Sequence, residues 1–156
     1  MSKLRLFPPI YLLFSREKCY RCGAGAPVVA IACKKFAEVG GANEVEEDDE
    51  EPILISDMVA MPAALLQAIH ALHPYYEKRH SRMAGFEYFM NICPHCKAHF
   101  GDFFLFSEPD GAFFPMEEAA FAAIKIRKLP IDNAIEVDAG YSMGLGAEIF
   151  AKGQII

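Results

Sequence analysis

The strongest signal in this sequence comes from two short stretches, Cys19-Tyr20-Arg21-Cys22-Gly23 and Cys93-Pro94-His95-Cys96-Lys97. Each stretch has the spacing C-x-x-C, which can form a tight turn that directs both sulfur atoms toward one point. Two such turns supply four thiolates, and four thiolates suit tetrahedral Zn²⁺ with Zn–S bonds of about 2.3 Å. The predicted ligands of one structural zinc ion per chain are Cys19, Cys22, Cys93 and Cys96.

The residue that follows each cysteine pair affects how easily the turn closes. Gly23 can adopt a left-handed backbone conformation because glycine has no Cβ. Lys97 occupies the matching position after the second pair and fits that conformation less readily. We therefore expect the first turn to close with less strain than the second.

The two pairs are far apart, with 70 residues between Cys22 and Cys93. Zinc ribbons typically have a gap of about 15–20 residues. Residues 28–33 form an apolar, β-prone run after the first pair, and residues 86–92 alternate as a strand before the second pair. The sequence therefore predicts a split zinc ribbon, in which the metal joins two remote hairpin segments.

The remaining patterns predict an α+β fold with antiparallel pairing and about two helices. Pro62 and Pro74 mark the start and the end of the first helix. The turn Glu108-Pro109-Asp110-Gly111 favours a hairpin, because proline fixes φ and glycine tolerates positive φ. The predicted elements are helices over residues 62–72 and 115–126, short strands over residues 53–55 and 135–137, and a hairpin of residues 103–106 and 112–114.

Length and composition indicate one globular domain over residues 1–156. The chain has 53% hydrophobic and 23% charged residues, which excludes a wholly disordered chain, a collagen and a coiled coil. No stretch approaches the roughly 20 apolar residues of a transmembrane helix. The apolar start over residues 1–14 is interrupted by Pro8-Pro9 and lacks a small-x-small cleavage site. We therefore expect mature sequence of a cytoplasmic protein without a membrane contact.

The net charge of −6 comes from one acidic run, because seven of the 21 acidic residues lie between Glu44 and Glu51. Like charges at this density repel one another, so residues 43–52 are predicted to form a flexible acidic loop. The alternative is a functional segment that mimics nucleic acid or docks on a basic partner. An acidic total argues mildly against binding driven by the phosphate backbone of nucleic acids.

A basic cluster precedes the central predicted strand and contains Lys78, Arg79 and Arg82. Tyr75, Phe86 and other aromatic residues flank it. Basic residues interleaved with aromatic residues can bind single-stranded nucleic acid through phosphate contacts and base stacking. The alternative interpretation is a solvated loop whose aromatic neighbours belong to the core, or a patch that pairs with the acidic run.

Other candidate ligands have simpler interpretations. Cys33 lies inside an apolar strand and is expected to be a buried thiol. His95 and His99 are expected beside the metal ligands or on the surface, because four thiolates already complete the coordination. His70 and His73 share one face of the first helix, but no third ligand accompanies them.

Cys93-Pro94-His95-Cys96 resembles the active-site tetrad of the bacterial periplasmic disulfide oxidases, across those four residues only. That chemistry requires a thioredoxin-type fold with the first sulfur at a helix N-terminus. Here Gly101 interrupts any helix after the tetrad. A thiol–disulfide oxidoreductase therefore ranks behind a shared metal site as a hypothesis.

Both halves of the predicted ribbon resemble uncharacterised bacterial proteins with a split zinc ribbon. The first half carries Cys19-Tyr20-Arg21-Cys22-Gly23 followed by Pro27-Val28-Val29-Ala30, and the second carries Asn91-Ile92-Cys93-Pro94-His95-Cys96 followed by Gly101-Asp102-Phe103-Phe104-Leu105. The resemblance spans roughly residues 19–105. It implies a bacterial metal-binding domain and no established activity.

The functional prediction follows from the closed metal site. Four thiolates leave no open position for a water molecule, and no set of nucleophile, base and orienting group is recognisable. Acidic residues such as Asp132 and Glu136, and the glycines around residue 142, form no known motif. We expect a non-enzymatic module that engages another protein, with 13 Phe and 6 Tyr available for an interface. The alternatives are a nucleic-acid-associated zinc-ribbon regulator and the oxidoreductase.

Overall fold

The computed structural model describes residues 2–40 and 51–156, and across these residues the chain forms nine strands and four helices. The strands are β1 (Ser2–Lys18), β2 (Gly25–Glu38), β3 (Ile53–Ala60), β4 (Tyr76–Ser81), β5 (Phe86–Ile92), β6 (His99–Phe100), β7 (Lys125–Lys128), β8 (Ile135–Ser142) and β9 (Gln154–Ile155). The helices are α1 (Ala63–Leu72), α2 (Asp102–Phe106), α3 (Glu118–Ala123) and α4 (Gly146–Lys152). The predicted acidic loop lies almost wholly outside the described residues.

A long antiparallel hairpin of β1 and β2 dominates the fold, with Leu4 opposite Glu38 and Lys18 opposite Gly25. The register shifts between Phe7 and Ile10, where Pro8-Pro9 supplies no backbone N–H for the ladder. β8 pairs with both β1 and β3, so β1, β2, β3 and β8 close into a small barrel. The predicted antiparallel pairing is confirmed for every recorded strand pair of the described residues except β7 with β9.

Two apolar cores lie on opposite sides of β2. Val29, Ile31 and Cys33 point into the first core, together with Leu65 and Ile69 of α1. The intervening residues of β2 point into the second core, which also contains Cys19, Cys93 and Phe100. Burial on both faces explains why residues 28–33 form a continuous apolar run rather than an alternating one. The cysteine turns are therefore anchored in the second core.

Several predicted elements are confirmed, and three of the strands extend beyond their predicted bounds. The strands predicted at residues 28–33, 53–55, 86–92 and 135–137 lie within β2, β3, β5 and β8. The first predicted helix is α1, which Pro62 precedes as the N-cap. None of the helices in the described part of the chain is long and apolar enough to cross a lipid bilayer.

The predicted hairpin of residues 103–106 and 112–114 is wrong. The first segment lies in α2, where Asp102 and Leu105 are buried one helical turn apart. Burial at this spacing favours a helix, although the aromatic residues have high strand propensity. The turn itself is present, because the N–H of Gly111 donates to the carbonyl of Glu108 at 2.9 Å. Asp110 rather than the glycine adopts positive φ, at 66°.

The second predicted helix is too long. Only residues Glu118–Ala123 form α3, and the residues that follow form strand β7. β7 pairs with β1, with Ile126 opposite Leu13, and the burial of Ile126 favours this pairing over continuation of the helix. The strand β1 and the helices α2 and α4 were absent from the sequence-based prediction, which expected about two helices.

Candidate metal centre

The first cysteine turn connects the two strands of the long hairpin. Because Lys18 pairs with Gly25, the intervening residues must reverse the chain within six positions. The Cys19 N–H donates to the Ala24 carbonyl, and the Gly23 N–H donates to the Cys19 carbonyl, both at 2.9 Å. Gly23 has a φ of 76°, as its position predicted. This conformation is accessible to glycine without a steric penalty.

The second cysteine turn repeats these contacts between β5 and β6. The Cys93 N–H donates to the Ala98 carbonyl, and the Lys97 N–H donates to the Cys93 carbonyl, again at 2.9 Å. Lys97 adopts a φ of 65°, so a lysine occupies the conformation that glycine has in the first turn. Its ammonium lies 5.2 Å from the centre of the Tyr75 ring. A cation–π contact of this kind offsets part of the strain.

The two turns bring their four sulfur atoms together. Cys19 Sγ lies 3.6 Å from Cys96 Sγ, and Cys22 Sγ lies 3.8 Å from Cys93 Sγ. All four sulfurs lie within 4.8 Å of one another. Ligands at about 2.3 Å from a tetrahedral ion are separated by about 3.8 Å. The spacing therefore matches a tetrahedral thiolate site and exceeds the roughly 2.05 Å of a disulfide bond.

Burial is unequal within the cluster. Cys19 and Cys93 are almost fully buried, whereas Cys96 is half-buried and Cys22 is exposed. Each turn thus contributes one sulfur from the second core and one from the surface. An ion at this position would be held by the protein interior on one side and remain close to solvent on the other.

Local hydrogen bonds already favour one thiolate. The backbone N–H of Cys22 is the main cause that lowers the pKa of the Cys19 thiol to about 6, against the opposing effect of burial. For Cys96, the Ala98 N–H lowers the pKa, but burial and hydrogen bonds with the neighbouring thiols raise it to about 11. Four adjacent thiolates repel one another, so complete deprotonation needs a cation among them. The donor set could therefore hold a metal ion.

The other cysteine and the histidines considered as ligands lie outside this cluster, as their simpler interpretations predicted. His95 and His99 are exposed. Cys33 is buried in β2, as expected, and burial raises the pKa of its thiol to about 12. His70 Nε2 lies 2.7 Å from the Tyr76 carbonyl oxygen. His73 is buried, and neither histidine belongs to the ligand cluster found in residues 2–40 and 51–156.

The basic cluster is divided between two faces of the edge strand β4. Lys78 is opposite Phe89 on β5 and lies 5.8 Å from the centre of that ring, whereas Arg79 is opposite Tyr88. Neighbouring residues of a strand point to opposite faces. Arg79 also forms an ion pair with Glu77. Arg82 follows the strand and lines a separate groove. The structure therefore does not gather the three basic side chains on one surface.

Sequence reasoning missed a second group of ionisable residues that the fold brings together. Asp57 on β3 and Asp102 at the start of α2 lie close together, beside Tyr88 of β5. Burial is the main cause that raises the pKa of Asp102 to about 8 and also raises the pKa of Asp57. The sequence offered one partial signal, because Gly101-Asp102 follows the second cysteine turn. Nothing local marked Asp57, which lies within a strand pattern.

Comparisons with known proteins do not place the chain in a family. No family model, curated protein or solved structure matches it.

Proposed function

We propose that the protein is a non-enzymatic binding module organised by one structural Zn²⁺, and that it acts in a bacterial cytoplasm. The observation that carries the proposal is the convergence of four cysteine sulfurs, within 4.8 Å, from two turns with the same backbone hydrogen bonds. Reduced thiolates in a shared site are typical of reducing compartments.

Zinc at this centre would join segments that are remote in sequence. Cys19 and Cys22 lie in the β1–β2 connection, and Cys93 and Cys96 lie in the β5–β6 connection. Four protein ligands complete a tetrahedral shell, so the ion would serve structure rather than activate a water molecule. Its binding free energy becomes folding free energy, because the unfolded chain has no preformed site. The residues of the two turns would hold the sulfurs, and the N–H groups of Cys22 and Arg21 in the first turn stabilise the thiolate of Cys19.

Binding of another protein is the function that the surface near this centre supports. Tyr20, between the first two ligands, is 67% exposed, and Phe103 at the start of α2 is 59% exposed. Met83, in the turn after β4, is 86% exposed. All three line one groove, and exposed apolar side chains that cluster in this way are typical of interaction sites.

Cobalt substitution tests the metal assignment. Tetrahedral Co²⁺–thiolate sites have strong visible absorption that distinguishes them from six-coordinate sites with oxygen ligands. We expect this absorption in the wild-type protein and in Cys33→Ser, because Cys33 lies outside the cluster. Cys22→Ser should lose or strongly alter it. Equal spectra for Cys22→Ser and the wild-type protein would contradict the four-cysteine site.

Affinity purification tests the binding role separately. Phe103→Ser should reduce recovery of a specific partner, because it removes an apolar contact from the groove. Met116→Ser is the matched control, since Met116 is 58% exposed and lies outside the groove. Identical partner recovery with the two variants would argue against the groove as the interaction surface.

A further inference from the structure

A second groove, called the basic groove below, lies where β7 pairs with β1 and is distinct from the groove that contains Tyr20 and Phe103. Its volume is about 570 Å³. Phe14 of β1, Pro27 of β2 and Leu72 of α1 give it apolar walls. Small-molecule sites in proteins usually have volumes of about 300–1,000 Å³. The basic groove is therefore large enough to hold a small organic molecule.

Three cationic side chains line the basic groove, Arg16 on β1 and Lys125 and Arg127 on β7. The two strands are antiparallel, with Phe14 directly opposite Lys125. Directly opposite residues share a face of the sheet, and so do residues two apart on one strand. All three cations therefore lie on the same face as Phe14, and they are grouped around one half-buried aromatic ring.

The positive charge of this group has no partner in the described residues. Within residues 2–40 and 51–156, none of the three cations forms an ion pair with a carboxylate. Of the nearby acids, Glu17 points to the opposite face of β1, and Glu118 of α3 pairs with Lys152. Asp110 is the one acid among the described lining residues. Since like charges on one face of a sheet repel one another, a bound anion would relieve this repulsion.

The two arginines suit recognition of an oxyanion. Arg16 Nη2 donates to the Gly25 carbonyl at 3.3 Å, so the backbone holds this side chain beside the groove. A guanidinium group has five N–H donors, and the other donors of Arg16 remain for a ligand. Arg127, which has no recorded side-chain hydrogen bond in the described part of the chain, presents a second guanidinium group. The planar guanidinium fork matches the paired oxygens of carboxylates and phosphates.

We propose that the basic groove binds a small organic anion, which has a carboxylate or phosphate head group on an apolar body. The head group contacts Lys125, Arg127 and Arg16. The apolar body packs against Phe14 and Leu72. This inference goes beyond the proposed function, because it assigns a small-molecule ligand at a site that contains none of the four clustered cysteines.

Four probes with one aromatic ring and different head groups test this assignment. 3-Phenylpropionate, phenyl phosphate, 2-phenylethanol and 2-phenylethylamine would be titrated into ¹⁵N-labelled protein, purified without chelator, at pH 7. We expect at least one anion to bind about tenfold more tightly than the alcohol, because hydrogen bonds to charged groups are stronger than those between neutral groups. The amide signals of Phe14 and Lys125 should shift, and the tighter anion identifies the head group. Equal binding of all four probes, preference for the amine, or no binding of either anion would overturn the proposal.

Matched lysine variants test the role of the cations. Lys125→Gln removes one positive charge from the basic groove and should weaken anion binding about fivefold. Lys128→Gln makes the same change on the same strand, but Lys128 lies opposite Tyr11 on the other face and does not line the groove. Both lysines are exposed, so neither substitution disturbs the core. Equal affinities of the two variants for the anion would refute the assignment.

The acid of the groove provides a test of opposite sign. Asp110→Asn removes the negative charge and keeps a residue type that tolerates the φ of 66° at this position. Affinity for the anion should rise about two- to fivefold. Glu108→Gln is the control, because Glu108 lies in the same turn but does not line the basic groove. An unchanged or lower affinity of Asp110→Asn would contradict the proposed position of the head group.

A further titration distinguishes a small anion from a nucleic acid, which also presents phosphate oxygens. An oligothymidylate of about ten nucleotides would be compared with phenyl phosphate at an ionic strength of about 0.15 M. The proposal predicts weaker binding of the oligonucleotide, because three cations neutralise few phosphates and screening by salt weakens each contact. Tighter binding of the oligonucleotide would overturn the assignment of a small-molecule ligand.

Discussion

His73 makes the stability of this protein sensitive to mild acid. The side chain lies at the end of α1, is 4% exposed, and its Nε2 has no hydrogen-bond partner within the described residues. Burial is the main cause that lowers its pKa from 6.5 to about 4, partly opposed by a hydrogen bond to the Tyr75 backbone. The neighbouring His70 lowers the pKa further. The folded protein therefore keeps this imidazole neutral at pH values where the unfolded chain protonates it.

The direction and size of the change in stability follow from the difference in the number of protons bound by the unfolded and folded states at His73. Between pH 6.5 and about 4 the unfolded chain binds more protons at this position, so stability falls as the pH is lowered through that window. Above pH 6.5 the His73 imidazole is neutral in both states, so it no longer lowers the stability of the folded protein. At about 1.4 kcal/mol per pH unit, the loss between pH 7 and pH 5 is about 2 kcal/mol.

Urea denaturation at pH 7, 6 and 5 measures this loss. We expect His73→Phe to lose about 2 kcal/mol less than the wild-type protein over this range, since phenylalanine cannot be protonated. Taking the difference between the two proteins cancels the contributions of groups that both share, including the four clustered cysteines. His95→Gln is the control, because His95 is exposed and should follow the wild-type pH dependence. Parallel pH profiles for His73→Phe and the wild-type protein would refute the reasoning.

Three further predictions concern single positions. Gly23→Ala should lower the free energy of unfolding by about 1–2 kcal/mol in thermal unfolding, because a φ of 76° disfavours a residue with a Cβ. Lys97→Ala should lose only the contact with the Tyr75 ring, which costs at most about 1 kcal/mol. Gly146→Ala should be destabilised by about 1–3 kcal/mol, because a Cβ there would overlap a backbone carbonyl oxygen, while Gly144→Ala has room and serves as the control. Burial raises the pKa of Asp102 from 3.8 to about 8, so the wild-type protein should lose stability as the pH rises through that window. Asp102→Asn should therefore gain stability relative to the wild-type protein between pH 5 and pH 8, and an unchanged difference in urea denaturation would contradict this.

The cysteine cluster was predictable from sequence because the geometry of each cysteine turn is local. A C-x-x-C turn requires one residue with a left-handed backbone conformation after the second cysteine, and glycine at position 23 indicated such a turn. Lys97 gave no such indication, although its backbone has the same conformation, because lysine is not a residue type that marks positive φ. The prediction that the two turns lie together followed from ligand chemistry, since two sulfurs do not complete a tetrahedral site.

Long-range pairing explains the errors in the predicted fold. Residues 125–128 continue a helical pattern, and pairing with β1 on one side and β9 on the other makes them a strand. β1 itself was obscured by Pro8-Pro9, which interrupt an otherwise apolar run yet are accommodated at a register shift. Whether such a segment forms a helix or a strand depends on its pairing partners, which are distant in the chain and cannot be identified from hydrophobic periodicity.

The contact between Asp57 and Asp102 was beyond sequence reasoning for a related reason. Asp57 and Asp102 are 45 residues apart and are joined by a hydrogen bond from the Asp57 backbone to the Asp102 side chain. Nothing in the residue types near Asp57 distinguishes it from a surface acid on a strand. Its partial burial, its positive φ and its hydrogen bond with Asp102 all depend on the folded structure.

The most direct test of the account is metal content, measured by native mass spectrometry on protein purified without chelator, with reactive thiols counted in the same sample. We predict one zinc ion per chain, and protection of Cys19, Cys22, Cys93 and Cys96 from alkylation until the metal is removed. Cys33 should stay unreactive in both states, because it is buried in the core. Protein that contains no metal, with Cys93 and Cys96 freely reactive or oxidised, would contradict the central claim and favour thiol–disulfide chemistry instead.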